Sequence, residues 1–227
     1  MRPTIQKYFL KNKKNLTKNV YELEFEGENE INVIPGQFIT FMIDGIGARA
    51  YSILEKDGKN LKFIIKKIEL ENGGRGGSKF LCEQKVGAEL KGIGPSGNFV
   101  LKNNNLNKLF LGTGTGFVPL FAQITSLVEN DFSGKIKFVF GVREAKDLFH
   151  LDEIQKLKNI SKNFDFVVYL SQEENQSFKK GYILEEIKSS KEFEEAYICG
   201  SPKMVDDAKK ELLKNGFDEK NIFEEKY

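Results

Sequence analysis

The hydrophobic period of this chain changes once, near the polar run Lys102-Asn103-Asn104-Asn105, and that change restricts the fold more than any single motif does. Before it, Val20-Tyr21-Glu22-Leu23-Glu24-Phe25 alternates apolar and acidic residues at period two, as a strand with one face in a core does. Apolar runs over 37–43, 50–54 and 61–65 follow, punctuated by Pro35-Gly36, Asp44-Gly45 and Asp57-Gly58. Short strands with frequent turns point to a closed antiparallel β-barrel rather than an open sheet. After the polar run, strand-like segments at 106–111, 136–140, 164–169 and 195–199 alternate with helical patterns at 117–128, 147–158, 182–189 and 202–215. That alternation predicts a Rossmann-like parallel sheet covered by helices on both faces. The expected organisation is a β-barrel domain over 1–103 and an α/β domain over 104–227, with a cleft between them.

Composition narrows the function classes. At 227 residues the chain can bury two modest cores, and with 20 Phe and no Trp the packing falls on Phe. The net charge of +2 conceals an asymmetry: 17 Lys/Arg face 12 Asp/Glu over 1–105, and 18 face 21 beyond. A basic first half attracts an acidic partner or a nucleotide, although ordinary solvated surface looks the same. No dense basic run interleaved with aromatics argues for nucleic acid. No apolar stretch approaches the ~20 residues of a membrane span, and Met1-Arg2-Pro3-Thr4 lacks a signal-peptide core, so a cytoplasmic protein is expected. Cys82 and Cys199, alone and far apart, make neither a disulfide framework nor a cysteine metal centre, and no metal is expected.

Five segments carry chemistry. Gly112-Thr113-Gly114-Thr115-Gly116-Phe117-Val118-Pro119 lies between a strand and a helix, where glycines let the backbone approach a diphosphate at the positive helix end. In Arg49-Ala50-Tyr51-Ser52 an arginine able to clamp phosphate shares a strand face with a tyrosine able to stack on a ring, and Ser52 adds a hydroxyl. Gly73-Gly74-Arg75-Gly76-Gly77-Ser78 can form an anion nest leading into a short helix. Cys199-Gly200-Ser201-Pro202-Lys203-Met204 again joins a strand to a helix, and Phe223-Glu224-Glu225-Lys226-Tyr227 ends the chain on an aromatic residue. Each segment taken alone also reads as ordinary structure: a tight connection, an exposed arginine, a mobile loop, an inert buried cysteine, a frayed terminus. His150, the one histidine, reads as a surface or capping residue rather than a base.

Together, and in this order, the segments resemble the ferredoxin–NADP reductase family, from about Tyr8 to Tyr227. The resemblance implies an FAD-binding antiparallel Greek-key β-barrel followed by a Rossmann-like, nicotinamide-binding α/β domain. It implies that Arg49 holds the flavin phosphates, Tyr51 packs on the isoalloxazine and Ser52 bonds near flavin N5, with Ala50, Ile65 and Lys66 beside the flavin. Gly76, Gly77 and Ser78 would complete the phosphate site. Gly112, Thr113, Gly114, Thr115, Gly116 and Pro119 would receive the dinucleotide, with Arg143, Ser171, Gly200, Pro202 and Met204 around it. Cys199 would lie beside the nicotinamide, and Tyr227 would cover the flavin until nicotinamide displaces it. Ser52, Cys199, Glu225 and Tyr227 would form the catalytic set.

The implied activity is electron exchange, through FAD, between NADP(H) and a small acidic one-electron carrier such as ferredoxin or flavodoxin. Where NADP-using relatives often carry Ser-Arg after the third strand of the α/β domain this chain has Ser171-Gln172, and Gly181-Tyr182 lacks an arginine, which leaves NAD(H) open. Arg143, Lys179 or Lys180 remain as cations for a 2′-phosphate. The 74–78 loop also resembles FMN-binding reductases of oxygenase systems, while the terminal tyrosine suits FAD. The alternatives are a reductase component of an oxygenase system, a free-flavin reductase, and a flavin- or nucleotide-binding regulatory module without electron transfer.

Overall fold

The computed structural model describes residues 3–227, and the chain divides into two compact units, Met1–Val100 and Leu101–Tyr227. In the first, β1 (Thr4–Asn15), β2 (Val20–Gly27), β3 (Phe38–Ile43), β4 (Gly47–Ser52), β5 (Glu55–Asp57), β6 (Asn60–Lys66) and β7 (Glu89–Ser96) form an antiparallel sheet in the order β4-β3-β7-β1-β2-β6-β5. Its two end strands are almost one strand, since only Ile53 and Leu54 separate β4 from β5. Ile53 N–H donates to Gln37 O on one side (2.9 Å) and Leu54 N–H to Lys62 O on the other (2.8 Å), so the sheet curls round to meet itself. The inward positions of the period-two pattern supply the core, in which Phe25, Phe41 and Phe63 contact one another with ring centroids 5.1–5.9 Å apart. A 3₁₀ turn (Leu70–Asn72) and a short helix, α1 (Gly77–Glu83), lie between β6 and β7.

In the second unit β8 (Lys108–Thr113), β9 (Ile136–Val142), β10 (Phe164–Leu170), β11 (Lys179–Lys180), β12 (Glu195–Gly200) and β13 (Ile222–Lys226) are all parallel, in the order β11-β10-β9-β8-β12-β13. α2 (Phe117–Glu129), α3 (Leu151–Ile160) and α4 (Pro202–Lys214) connect them. The chain runs outward from β8 through β9 to β11, then returns to place β12 on the other side of β8. The β8/β12 junction is therefore the point where connections diverge, beyond which ligands bind in sheets of this kind. The helical pattern expected over 182–189 is a 3₁₀ segment, Ile183–Ser189, rather than an α-helix. His150 does stand at the N-cap of α3, but its side chain makes no capping hydrogen bond. It packs among Phe117, Phe121 and Phe149 at 5.8–6.4 Å, and its Nδ1 lies 3.8 Å from Glu153 Oε2 in the first turn of the helix. No helix among the described residues is long and apolar enough to cross a membrane.

The 3₁₀ segment is pinned to the sheet by Glu186, which is only 6% exposed. Burial opposes its ionisation, but Lys137 (2.5 Å), Lys179 (2.8 Å) and the Tyr169 hydroxyl (2.8 Å) outweigh that and hold its pKa at about 2, against 4.5 ordinarily. A depressed folded-state pKa stabilises above the unfolded value and loses that contribution as pH falls through the folded one. Wild type is therefore expected to lose its stability advantage over Glu186→Gln between about pH 4.5 and 2, measured as converging melting temperatures.

Candidate functional site

Period two along β4 puts Arg49 and Tyr51 on one face, and α1 begins directly against them. A Cβ on Gly77 would lie 2.5 Å from Arg49 Cγ and 2.9 Å from the Tyr51 hydroxyl, so only glycine lets the helix start there. The Arg49 guanidinium donates from Nη1 to Ala48 O (2.8 Å) and from Nη2 to Arg75 O (3.0 Å). Its Nε is buried and has no partner. Neutral carbonyls thus fix the group without cancelling its charge, and one buried donor is unspent, an arrangement suited to a phosphate oxygen. These residues fit a flavin diphosphate.

Burial raises the Tyr51 phenol well above its ordinary range, and Arg49 and Arg75 partly oppose the shift. Arg75 is exposed in the glycine loop and is a cation the motif reading passed over. Ser78 Oγ accepts from Ile68 N–H (3.2 Å). Ala50 is exposed and Ser52 half-buried, opposite Phe38. Ile65 is 2% exposed and belongs to the barrel core, which leaves only its backbone for a ligand, whereas Lys66 beside it is exposed. The far end of α1 is held by Lys13, whose Nζ donates to Cys82 O (3.1 Å) and Gln84 O (2.7 Å). A cation there satisfies carbonyls that a helix end leaves unpaired. Nothing local marks Lys13, since its partners are some seventy residues away.

In the second unit the expected residues gather beyond β8, β12 and β13. Parallel register sets Gly112, Cys199 and Glu225 side by side. The turn after β8 presses onto the end of β12: a Cβ on Gly116 would stand 2.1 Å from Cys199 O, so this backbone-to-backbone approach admits glycine alone. Cys199 is fully buried, and its Sγ lies 4.0 Å from Glu225 Oε2. Burial above all lifts the thiol far above its usual pKa, the Glu225 carboxylate adding to it, so Cys199 stays protonated. Tyr227 is tied at both ends within this cluster, its N–H to Gly200 O (3.2 Å) and its hydroxyl to Thr115 O (2.8 Å), with the side chain half exposed.

Thr113, Gly114 and Thr115 are half-buried, and Pro119 is buried in the first turn of α2. Pro202 opens α4, Ser201 Oγ caps it by accepting from Met204 N–H (3.4 Å), and Met204 lies against Gly200. Arg143 and Ser171 are set apart, following β9 and β10, and Ser171 N–H donates to Val142 O (3.1 Å). The structure therefore brings Thr113–Gly116, Cys199, Gly200, Glu225 and Tyr227 together and places Arg143 and Ser171 further along the same rim.

Residues 7–101 match the family model of the oxidoreductase FAD-binding domain, and residues 110–210 that of the oxidoreductase NAD-binding domain. The chain is 28% identical over 206 residues to the electron transfer component of toluate 1,2-dioxygenase from Pseudomonas putida, covering 88% of this chain and 60% of that protein's length. It superposes on a ferredoxin-NADP+ reductase from Plasmodium falciparum with a TM-score of 0.80 and 25% identity, covering 97% of this chain and 95% of that one. The cytochrome P450 reductase GcoB of Amycolatopsis shares the fold, with a TM-score of 0.91 at 20% identity over 100% of this chain and 71% of that chain. With an FAD-binding domain followed by an NAD-binding domain, the chain belongs to the ferredoxin reductase-type flavoprotein oxidoreductases.

Proposed function

We propose that this protein takes hydride from a reduced nicotinamide dinucleotide and passes the two electrons singly, through FAD, to a small acidic iron–sulfur or flavin carrier. The observation that carries the reading is the Cys199–Glu225–Tyr227 cluster at the β8/β12 junction, where a neutral thiol, a carboxylate and a half-exposed aromatic ring share one strand end. FAD when bound supplies the redox chemistry, accepting a hydride and releasing one electron at a time.

The protein's own residues bind and orient. Arg49, Gly76, Gly77 and Ser78 would hold the flavin phosphates, Tyr51 would pack on the ring system, and Ser52 would supply a hydroxyl to it. Ala50 and Lys66 lie alongside. The turn Gly112–Gly116 with Pro119 takes the dinucleotide diphosphate at the start of α2. Cys199, kept uncharged, places an apolar sulfur against the nicotinamide while Glu225 accepts its hydrogen bond. Gly200, Pro202 and Met204 shape the wall behind it.

Tyr227 covers the turn it is bonded to, so dinucleotide and tyrosine compete. Replacing Tyr227 by serine removes the ring and its hydroxyl's bond to Thr115, and is expected to tighten dinucleotide binding by up to about tenfold. Calorimetric titration of wild type and Tyr227→Ser checks this, and an unchanged or weaker affinity contradicts the competition.

The oxygenase-linked relative is named as an electron transfer component, which supports a protein acceptor rather than free flavin. The excess of Lys and Arg in the first half supports an acidic one. The two free, buried cysteines accord with a cytoplasmic setting. Steady-state assays with an acidic ferredoxin, a flavodoxin and free FMN as acceptors test the reading. The expected result is reduction of a carrier protein that slows as salt is raised. Free flavin as the one acceptor used, or carrier reduction indifferent to salt, argues against it.

A further inference from the structure

We propose that the dinucleotide site is built for NADH rather than NADPH, because a pinned carboxylate, Glu173, stands where the adenosine ribose lies. This rests on the nicotinamide reading above and sharpens it.

The topology sets the direction. A diphosphate anchored on the Gly112–Gly116 turn sits at the junction of β8 and β12, and the two nucleosides of a dinucleotide run to either side of it along the sheet rim. With nicotinamide toward Cys199 on β12, adenosine runs the other way, over the ends of β9 and β10. The loops after those two strands are laced into one surface. Ser171 N–H donates to Val142 O (3.1 Å), Gln172 N–H to Arg143 O (2.9 Å), and Ala145 N–H to Glu173 Oε2 (2.7 Å). Glu173 thus reaches from the β10 loop to the β9 loop, and Asn175 Nδ2 donates to its other oxygen (3.3 Å). Hydrogen bonds to the charged form lower its pKa, the Ala145 N–H first and Asn175 second. The carboxylate is fixed in place and ionised.

Charge on this rim does not favour a second phosphate. The two loops carry Glu144, Asp147, Glu173 and Glu174 against Arg143, Lys146 and the nearby Lys180. Lys146 is paired with Glu144, and Lys179 is committed to Glu186 (2.8 Å) with its ammonium over the Tyr169 ring. A 2′-phosphate brings close to two negative charges and needs a cluster of cations. A ribose 2′-hydroxyl needs one acceptor, which an ionised carboxylate supplies.

The test uses the flavin-loaded protein and reads binding, not turnover. NADH, NADPH, AMP and AMP bearing a 2′-phosphate are each titrated calorimetrically against wild type and Glu173→Gln. The expected result is NADH binding at least about tenfold tighter than NADPH, AMP tighter than its 2′-phosphate, and both gaps narrowed in Glu173→Gln, since like charges are costly side by side. Equal binding of the two dinucleotides, tighter NADPH, or a gap that Glu173→Gln leaves unchanged overturns the assignment to Glu173. Failure of both dinucleotides to bind overturns instead the nicotinamide reading on which it rests.

Discussion

Replacing Lys108 by methionine is expected to cost about 3–5 kcal/mol of stability. Its side chain has no exposure, and its Nζ donates to Glu195 Oε2 at 2.8 Å. Glu195 is itself 1% exposed, and its other oxygen takes Asn104 Nδ2 at 2.6 Å. Asn104 Oδ1 completes the ring by accepting from Lys108 at 2.7 Å, and the Tyr197 hydroxyl donates to Glu195 at 3.0 Å. Removing the ammonium leaves the Glu195 carboxyl group in the interior with only neutral donors, which is the source of the cost. The double variant Lys108→Met/Glu195→Leu removes both charges and is expected to regain most of the loss. Urea denaturation of the three proteins reads this directly. A single variant as stable as wild type shows that water reaches the pair and that its burial has no energetic weight.

Arg49→Ala is expected to weaken flavin binding by at least about thirtyfold, the lower end of the 2–5 kcal/mol for truncating one partner of a buried charged hydrogen bond. Two of the arginine's donors are spent on Ala48 O and Arg75 O, so the substitution also frees the glycine loop it braces. Arg49→Lys keeps the charge but loses the fork, and intermediate retention is expected. Flavin fluorescence after gel filtration and circular dichroism of the apoprotein separate lost binding from lost fold. Full retention of flavin in Arg49→Ala removes the phosphate role from this residue.

What could be read beforehand, and what could not, follows from how local each signal is. β8, β9, β10 and β12 stand out as short, dense apolar runs because a parallel sheet buries both faces. β1 and β7 did not stand out. β1 is 12 residues long, but Lys11-Asn12-Lys13-Lys14-Asn15 carries its polar end, and a bulge between Leu10 and Asn12 breaks its alternation. β7 contains Gly92, Gly94 and Pro95, which imitate a turn. A Cβ on Gly92 would lie 2.8 Å from the Tyr8 ring, so glycine is there for packing. β11, of two residues, is too short to leave a pattern.

The site divides in the same way. The Gly112–Gly116 turn and the Arg49–Tyr51 strand face are written in consecutive residues. That Glu225 pairs with Cys199 depends on the register of two parallel strands, and only the family resemblance supplied it. Lys13 at the end of α1, Glu173 across two loops, and the Lys108–Glu195 pair join residues 28 to 87 positions apart, and each reads in the sequence as an ordinary surface charge.

The proposed transfer of hydride from nicotinamide to a flavin held by the same chain is tested most directly by anaerobic mixing. The purified protein is loaded with FAD, freed of excess flavin and mixed with NADH under nitrogen while absorbance in the flavin band is followed. The band is expected to bleach completely with one equivalent of NADH per flavin. A bound flavin that remains oxidised in excess NADH, and in excess NADPH, contradicts it.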